Sequence, residues 1–271
     1  MKSFKEYLGE ASVAGTAQQG FAYENNAAKA LKPLGIVPKD FKPAGAGHDV
    51  PDLIIQRNGV KAGLELKITA ASAGSLVMKY ENGNWSIGSP TETNDEKLFI
   101  IQLAKEVGVL KLIQQKWKKE PYKFAKTTRI KNEKQKIMDE SGKRAVYDAE
   151  LLRFPELKGE IPATKISEYY NKKKTYYVNI GTHGFYLLGS RNPLKLKGIP
   201  KFGSSAKAVW RARVQAKGGG AYQFTFEMNF SIPAGGKSPY NIAPITKGSV
   251  VIDKSKLNVE WFLESYKGDL R

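Results

Sequence analysis

The chain has 271 residues, and its 44 basic and 26 acidic side chains give a formal net charge of +18 at pH 7. A hydrophobic content of 41% is typical of a globular protein, and the length allows a full core. The absence of cysteine excludes disulfide frameworks and thiolate metal sites. No apolar run approaches the roughly 20 residues that span a bilayer. The composition therefore predicts a soluble protein of a reducing compartment, without a membrane partner.

The N-terminal part of the chain predicts two helices joined by a linker. Residues 1–10, MKSFKEYLGE, have the pattern of a short helix, and the small residues at 11–17 are typical of a linker. Residues 18–34 have the periodicity of an amphipathic helix, which is expected to end at Gly35. Glu24 falls on the apolar face of this helix, which is unusual for a surface carboxylate.

The run PDLIIQRNGVKAGLELK predicts a β-hairpin that turns at Asn58-Gly59. Both turn residues tolerate positive φ, and a two-residue turn of this kind matches the twist of the flanking strands. Arg57 would then pair with Val60, so the numbers of paired residues sum to 117 along the whole hairpin.

This register places two carboxylates opposite each other. Asp52 and Glu65 sum to 117, so their Cβ atoms are expected roughly 5 Å apart. Lys67 lies on the same face as Glu65, because strand side chains alternate between faces. Like charges opposite each other cost stability, and a divalent cation held by oxygen ligands is a natural reason to keep them.

Further along the chain, the pattern predicts another hairpin that turns at 81–84 and a long helix over 95–119. The second half is rich in β-branched and aromatic residues and predicts strands over 175–188, 206–216, 222–232 and 249–253. The order of helix, strands, helix and strands is typical of an α/β (α+β) core with a mixed sheet. We expect one domain over 18–271, with a basic insertion at about 111–172.

The positive charge favours a polyanionic partner, because Lys and Arg neutralise phosphates and release counterions. Charge alone does not separate DNA from RNA or from an anionic membrane surface. Three stretches, 117–129, 172–174 and 195–213, are basic enough to follow a nucleic-acid backbone. Aromatic residues in the first could stack on bases. The predicted nucleic-acid-binding residues are Lys116, Trp117, Lys118, Lys119, Lys123, Arg129, Lys172, Lys173, Lys174, Arg211 and Arg213.

The hairpin motif, Pro51-Asp52 followed by Glu65-Leu66-Lys67, resembles that of the PD-(D/E)xK nuclease superfamily. The resemblance implies a restriction-endonuclease-like core, with a central mixed β-sheet flanked by helices, here with a basic helical insertion. It also implies Mg²⁺ as the cofactor, with Mn²⁺ as a substitute, and DNA as the partner.

The same resemblance implies roles for individual residues. Asp52 and Glu65 would be metal ligands, joined by the backbone carbonyl of Leu66. Lys67 would orient the attacking water or offset charge in the transition state. Many members of the superfamily also bring a glutamate from the first helix, and Glu24 stands in the matching place.

The first eleven residues, MKSFKEYLGEA, resemble the capsid-targeting leader of internal head proteins in T-even-type phages. That resemblance implies cleavage between Glu10 and Ala11 by a prohead protease, and docking onto a prohead scaffold. It implies a location inside the capsid of a virion and then in the host cytoplasm. A frayed terminal helix is the alternative interpretation of the same residues.

Together these features predict a Mg²⁺-dependent DNA endonuclease, encoded by a phage and packaged to degrade host or rival DNA after injection. One alternative is a restriction-like or repair nuclease of the cytoplasm. Another is a DNA-binding head protein without catalysis, although the intact Asp52, Glu65 and Lys67 argue against it. The oligomeric state is left open, and a homodimer is compatible with the sequence.

Overall fold

The computed structural model describes residues 13–42, 50–68, 72–81, 83–88, 95–117, 140–217, 221–247 and 250–267. These stretches contain six helices: α1 (Val13–Leu31), α2 (Asp95–Glu106), α3 (Val109–Lys116), α4 (Glu140–Arg153), α5 (Ala163–Lys172) and α6 (Glu260–Lys267). They also contain eleven strands: β1 (Leu53–Arg57), β2 (Val60–Lys67), β3 (Ser72–Glu81), β4 (Asn84–Ile87), β5 (Leu157–Ile161), β6 (Thr175–Ile180), β7 (Gly184–Leu187), β8 (Lys207–Lys217), β9 (Ala221–Ser231), β10 (Ala243–Lys247) and β11 (Val250–Asn258). The fold is mixed α and β, as predicted.

The chain divides into two compact units. The first is built from the chain up to position 71, from Pro162–Ala208 and from Phe230 onward, and the second from Ser72–Ile161 and Val209–Asn229. The basic insertion predicted at 111–172 therefore spans parts of both units, because α5 belongs to the first. Within the described stretches, no helix is both long and apolar enough to cross a bilayer.

The first unit is organised around a four-stranded sheet with the order β1-β2-β6-β7. β1 and β2 form an antiparallel hairpin in which Arg57 pairs with Val60. Asn58 and Gly59 turn the chain with φ angles of 49° and 78°, the left-handed conformation that these two residues accept readily. The predicted hairpin and its register are confirmed.

β6 runs parallel to β2, and β7 runs antiparallel to β6, so the sheet is mixed as expected. Between β2 and β6 the chain passes through the second unit and enters β6 from α5, so the connection is long enough to join parallel neighbours. α1, β2 and α6 share one buried core, in which Leu31, Leu64 and Phe262 are fully buried. This core holds α1 against the hairpin.

α1 corrects the linker predicted at 11–17, because the helix begins at Val13. The small residues of this segment include alanine, which has the highest intrinsic helix propensity and so extends a helix rather than interrupting it. α1 ends at Leu31 instead of position 34, and Gly35 follows with a φ of 69°. The leader predicted at 1–10, with its cleavage site at Glu10 and Ala11, lies outside the described residues.

The second unit is built on a five-stranded sheet with the order β4-β3-β9-β8-β5. β3 and β4 form the hairpin predicted at 81–84, and Glu81 pairs with Asn84 at its end. The core contains an aromatic cluster with ring centroids between 4.9 and 6.1 Å apart, formed by Trp85, Trp117, Phe154 and Phe224.

The helix predicted over 95–119 is two helices, α2 and α3, in the structure. Gly108 separates them with a φ of 70°, a conformation that glycine adopts without the cost a side chain would add. The strand predicted over 175–188 is the β6–β7 hairpin. The strands predicted over 206–216 and 222–232 match β8 and β9 within one residue at each end.

Candidate active site

The β1–β2 ladder ends one residue short of Asp52. Its last pair joins Leu53 to Leu64, and the same register places Asp52 opposite Glu65. Oδ2 of Asp52 accepts a 2.7 Å hydrogen bond from the backbone N–H of Leu66. A side-chain oxygen thus takes the place that a backbone carbonyl would have if β1 continued, and it fixes the Asp52 carboxylate at the end of β2.

Glu65 and Lys67 form an ion pair at the same end of β2. Nζ of Lys67 lies 2.7 Å from Oε1 of Glu65, and 24% of the lysine side chain is exposed. The hydroxyl of Tyr170, on α5, donates to the same Oε1 at 3.4 Å. Both contacts engage Oε1 of Glu65.

Glu24 approaches this group from α1, and a buried network beside it fixes the rotation of that helix. Nδ2 of Asn179, on β6, donates to the hydroxyl of Tyr23 at 2.8 Å and to the carbonyl of Ile242 at 3.0 Å. The N–H of Ile242 returns a 2.9 Å bond to Oδ1 of Asn179. Because Tyr23 is held this way, its neighbour Glu24 has a set orientation.

The electrostatics of the carboxyls show how crowded the site is. Burial raises the pKa of Glu24 to about 7, the charge of Glu65 adds to the rise, and the charge of Lys67 opposes it. Burial also holds the pKa of Asp52 well above its usual range, with Glu65 adding to the effect and Lys67 opposing it. Shifted carboxyls of this kind concentrate at functional sites, where charge is kept despite its cost.

The donor set fits a hard divalent cation. Asp52, directly before β1, and Glu65, on β2, present carboxylate oxygens, and the backbone of Leu66, whose N–H binds Asp52, offers a carbonyl oxygen next to Glu65 in the chain. Oxygen atoms are the ligands that Mg²⁺ prefers, and a cation here would offset the repulsion that raises the pKa of Asp52. No three His, Asp or Glu side chains of the described residues form a metal-binding group by themselves. The set therefore amounts to two carboxylates and a backbone oxygen.

Trp117 was predicted to stack on bases, and the structure places it in the core of the second unit instead. It is 2% exposed and packs in the aromatic cluster, while its indole N–H donates a 3.1 Å hydrogen bond to the carbonyl of Pro155. An aromatic residue among lysines can stack on bases at the surface, or it can pack into the core and anchor a basic helix there. Here it is the anchor, and the ring has no face available for a base.

The lysines predicted to bind nucleic acid differ in their settings. Lys116 is exposed at the end of α3, and Lys172 and Lys174 are exposed at the end of α5. Lys173 is half-buried, and its ammonium lies 4.6 Å from the ring centre of Tyr169. The remaining cations of this group lie outside the described residues: Lys118, Lys119, Lys123 and Arg129.

Arg211 and Arg213, both on β8, are engaged in ion pairs within the second unit. Arg211 pairs with Glu156. Arg213 lies 3.1 Å from Oε2 of Glu227, which is buried at 3% exposure. If the guanidinium moved away, the buried carboxylate would be left as an unpaired charge, which is strongly destabilising. The two arginines are therefore accounted for by partners in the fold, and phosphate contacts are not needed to explain them.

Sequence reasoning missed two residues that shape the site. Ile166, Tyr169 and Tyr170 form the buried face of α5, and their spacing predicts an inward stripe. That spacing gives no sign that the hydroxyl of Tyr170 reaches Glu65. Asn179 is a single amide in an apolar strand, which predicts a buried hydrogen bond but not its partner on α1.

No protein-family model matches this chain, and no curated protein or solved structure matches it. The candidate site is therefore defined by its own geometry. A hairpin sets Asp52 beside Glu65, a lysine pairs with Glu65, and α1 brings Glu24 into their electrostatic reach.

Proposed function

We propose that this chain is a metal-dependent DNA endonuclease with a restriction-endonuclease-like core of the PD-(D/E)xK type. The observation that carries the proposal is the convergence of Asp52, Glu65 and Lys67 at one end of the hairpin. The mixed sheet supports the same fold, because β2 carries the Glu-Leu-Lys motif between an antiparallel and a parallel neighbour.

Hydrolysis of a phosphodiester needs a positioned water, neutralised phosphate oxygens and a stabilised leaving oxygen. Asp52, Glu65 and the carbonyl of Leu66 would hold Mg²⁺, or Mn²⁺ in its place. When bound, the ion would supply positive charge to the phosphate and lower the pKa of a water molecule. Its positive charge would also offset the repulsion between the carboxylates of Asp52 and Glu65.

The remaining side chains would handle the water and its proton. Lys67 would orient the attacking water and offset charge that develops on the phosphate. In the metal-free chain the pKa of Glu24 is about 7, and a carboxyl with such a pKa exchanges its proton near neutral pH. Tyr170 would act as a positioning residue, because its hydroxyl restrains Glu65 from the side of α5.

The basic character of the chain supports DNA as the substrate. The net charge is +18, and Lys172 and Lys174 lie two and four positions beyond Tyr170. The exposed lysines at the end of α5 are therefore close in the chain to the residue that contacts Glu65. A phosphate backbone bound at the site would meet these cations.

The test is to incubate the full chain with supercoiled plasmid, linear duplex, single-stranded DNA and RNA, in Mg²⁺ or in EDTA. We expect DNA cleavage in Mg²⁺ and none in EDTA. Failure to cut any of the four substrates, in Mg²⁺ and in Mn²⁺, would contradict the proposal. Full Mg²⁺-dependent cleavage by the variant Asp52→Asn would contradict the site.

A further inference from the structure

A second polar feature of the first unit is a cavity at the turn between β6 and β7. Its volume is about 590 Å³, and small-molecule sites usually have roughly 300–1,000 Å³. The walls come from this turn, from the segment before β10 and from α6. The polar and aromatic lining includes Thr182, His183, Lys237, Tyr240, Asn241 and Glu264.

Asn241 lines this cavity and has a buried hydrogen-bond acceptor without a partner among the described residues. The residue is 9% exposed, and its Oδ1 has no hydrogen-bond partner within the described part of the chain. Its Nδ2 donates a 2.9 Å bond to the carbonyl of Gly181, which fixes the amide. Native proteins seldom bury a carbonyl oxygen without a donor, so this atom suits the N–H of a ligand.

The cavity is connected to the candidate active site through the backbone directly after β6. The N–H of Gly181 donates a 2.7 Å hydrogen bond to the carbonyl of Lys67, and the carbonyl of Gly181 accepts the bond from Asn241. Two hydrogen bonds therefore connect Lys67 to the cavity wall. The cavity and Lys67 thus lie at the same end of the β2–β6 pair.

The charges of the lining suit a nucleotide better than a bare anion. Lys237 supplies an exposed ammonium, and Glu264 supplies a carboxylate. Burial, with a contribution from Lys237, lowers the pKa of His183, so its imidazole is neutral near pH 7. Inorganic phosphate could engage Lys237, but it has no base to lie against the ring of Tyr240. A nucleotide offers a phosphate to Lys237 and base N–H groups to Asn241.

We propose that this cavity is a nucleotide subsite that holds one unpaired nucleotide next to the scissile phosphate. Oδ1 of Asn241 accepts a hydrogen bond from an N–H of the base, Lys237 binds the phosphate, and the half-exposed ring of Tyr240 offers a stacking face. A base inside a duplex cannot enter such a cavity, so the nucleotide is flipped out or lies in a single-stranded stretch. This inference rests on the proposed nuclease function and adds a class of preferred substrate.

The first experiment measures binding to the full chain in EDTA by isothermal titration calorimetry. The probes are the four deoxynucleoside 5′-monophosphates, with inorganic phosphate and deoxyribose 5-phosphate as probes without a base. We expect at least one monophosphate to bind about tenfold more tightly than the probes without a base, because a base adds a hydrogen bond and stacking. Equal binding of all probes would overturn the subsite.

A matched pair of lysine variants locates the binding. Lys237→Ala should weaken the monophosphate by about tenfold, which corresponds to one charge-assisted hydrogen bond. Lys39→Ala removes the same charge from another exposed loop of the first unit, and it should leave the affinity unchanged. Both lysines are exposed, so neither change should disturb folding. Equal affinity of Lys237→Ala and the wild type would overturn the assignment to this cavity.

The second experiment compares cleavage of a duplex that carries one unpaired nucleotide with cleavage of the fully paired duplex. We expect the wild type to prefer the first substrate, and Lys237→Ala to lose most of that preference. If the wild type cuts DNA but binds no mononucleotide, the subsite is wrong and the nuclease proposal stands. If it binds mononucleotides but cuts no nucleic acid, the nuclease proposal fails and the role in substrate choice fails with it.

Discussion

Asp52 closes the β1–β2 hairpin with its side chain, because its Oδ2 accepts a 2.7 Å hydrogen bond from the backbone N–H of Leu66. The same carboxylate stands opposite Glu65, and burial together with that neighbouring charge raises its pKa. The hydrogen bond gives Asp52 one role, and the proposed chemistry would add a second. Closing the hairpin requires only a hydrogen-bond acceptor, whereas the proposed chemistry requires a negative charge. Replacing the carboxylate by an amide of the same shape keeps the acceptor and removes the charge, so Asp52→Asn distinguishes the two requirements.

We expect Asp52→Asn to lower Mg²⁺-dependent cleavage by at least about a hundredfold, since a lost charged group in a catalytic site has effects of this order. The fold should persist, because the amide oxygen can still accept the bond from Leu66. The Tm in EDTA should rise, because a buried charge next to Glu65 has been removed. Plasmid cleavage and thermal unfolding measure the two effects.

Asp40→Asn is the matched control, because Asp40 is an exposed carboxylate of the same unit. It should change neither cleavage nor the Tm. A lower Tm for Asp52→Asn in EDTA would show that the charge itself stabilises the hairpin, which contradicts our account of the site.

Glu24 gives the metal-free protein a specific dependence of stability on pH. Its pKa is about 7 in the folded chain, against about 4.3 in an unfolded one. The folded state thus holds this proton more tightly than the unfolded state does. The contribution of Glu24 protonation to the free energy of unfolding is therefore complete below about pH 4 and is lost as the pH rises through about 7. The raised pKa of Asp52 acts in the same direction. We expect the Tm in EDTA to fall between about pH 5 and about pH 8.

Mg²⁺ should counteract this loss, because the deprotonated carboxylates are the form that binds a cation. The gain in Tm from Mg²⁺ should be larger at about pH 8 than at about pH 5. Glu24→Gln should flatten the profile in EDTA, whereas Glu168→Gln, at an exposed position on α5, should not. A profile that Glu24→Gln leaves unchanged would rule out Glu24 as the titrating group.

The hairpin and its register could be predicted from sequence because both depend on local chemistry. Asn58-Gly59 sets the turn, and strand alternation then places Asp52, Glu65 and Lys67. Tyr170 could not be found in this way. It lies 105 positions from Glu65 and reaches it because β6 pairs with β2, which is a long-range feature that no local pattern encodes.

The errors arose where one local pattern fits two outcomes. The small residues of 11–17 suit a linker, but alanine also extends a helix that is already held by packing, and α1 begins at Val13. Trp117 lies among lysines, but the pattern does not say whether its ring faces solvent or the core. The aromatic partners Trp85, Phe154 and Phe224 decide this, and their approach is a tertiary property.

Tyr170→Phe tests the contribution of α5 to the site. The change removes the hydroxyl at 3.4 Å from Oε1 of Glu65 and keeps the ring. We expect kcat to fall by about tenfold, which is the order of one hydrogen bond to a charged group, and the KM for DNA to stay the same. Steady-state kinetics on a labelled duplex separate these two parameters.

Tyr169→Phe makes the same chemical change on the same helix, where the ring lies beneath the ammonium of Lys173. This control should leave kcat unchanged, because Tyr169 has no contact with Glu65 in the described structure. A fall in kcat of the same size in both variants would point to a general loss of packing in α5 rather than to the positioning of Glu65.

Lys172 and Lys174 test whether the end of α5 binds the DNA backbone. Both are exposed, and each phosphate contact contributes about 0.9 to the slope of log K against log salt. The double variant Lys172→Gln with Lys174→Gln should therefore weaken binding and lower that slope by about 2. Fluorescence anisotropy with a labelled duplex in EDTA, over a range of salt concentrations, measures both quantities.

The control for this charge change is Lys29→Gln with Lys32→Gln, because these lysines lie at and just after the end of α1 in the same unit and do not line the pocket that Lys174 lines. Since the field of a chain at +18 falls off within about 10 Å at 0.1 M salt, distant lysines should affect the slope by far less than a contact does. If the two double variants lower the slope equally, DNA senses only the overall charge of the chain, and the end of α5 is not part of its binding surface.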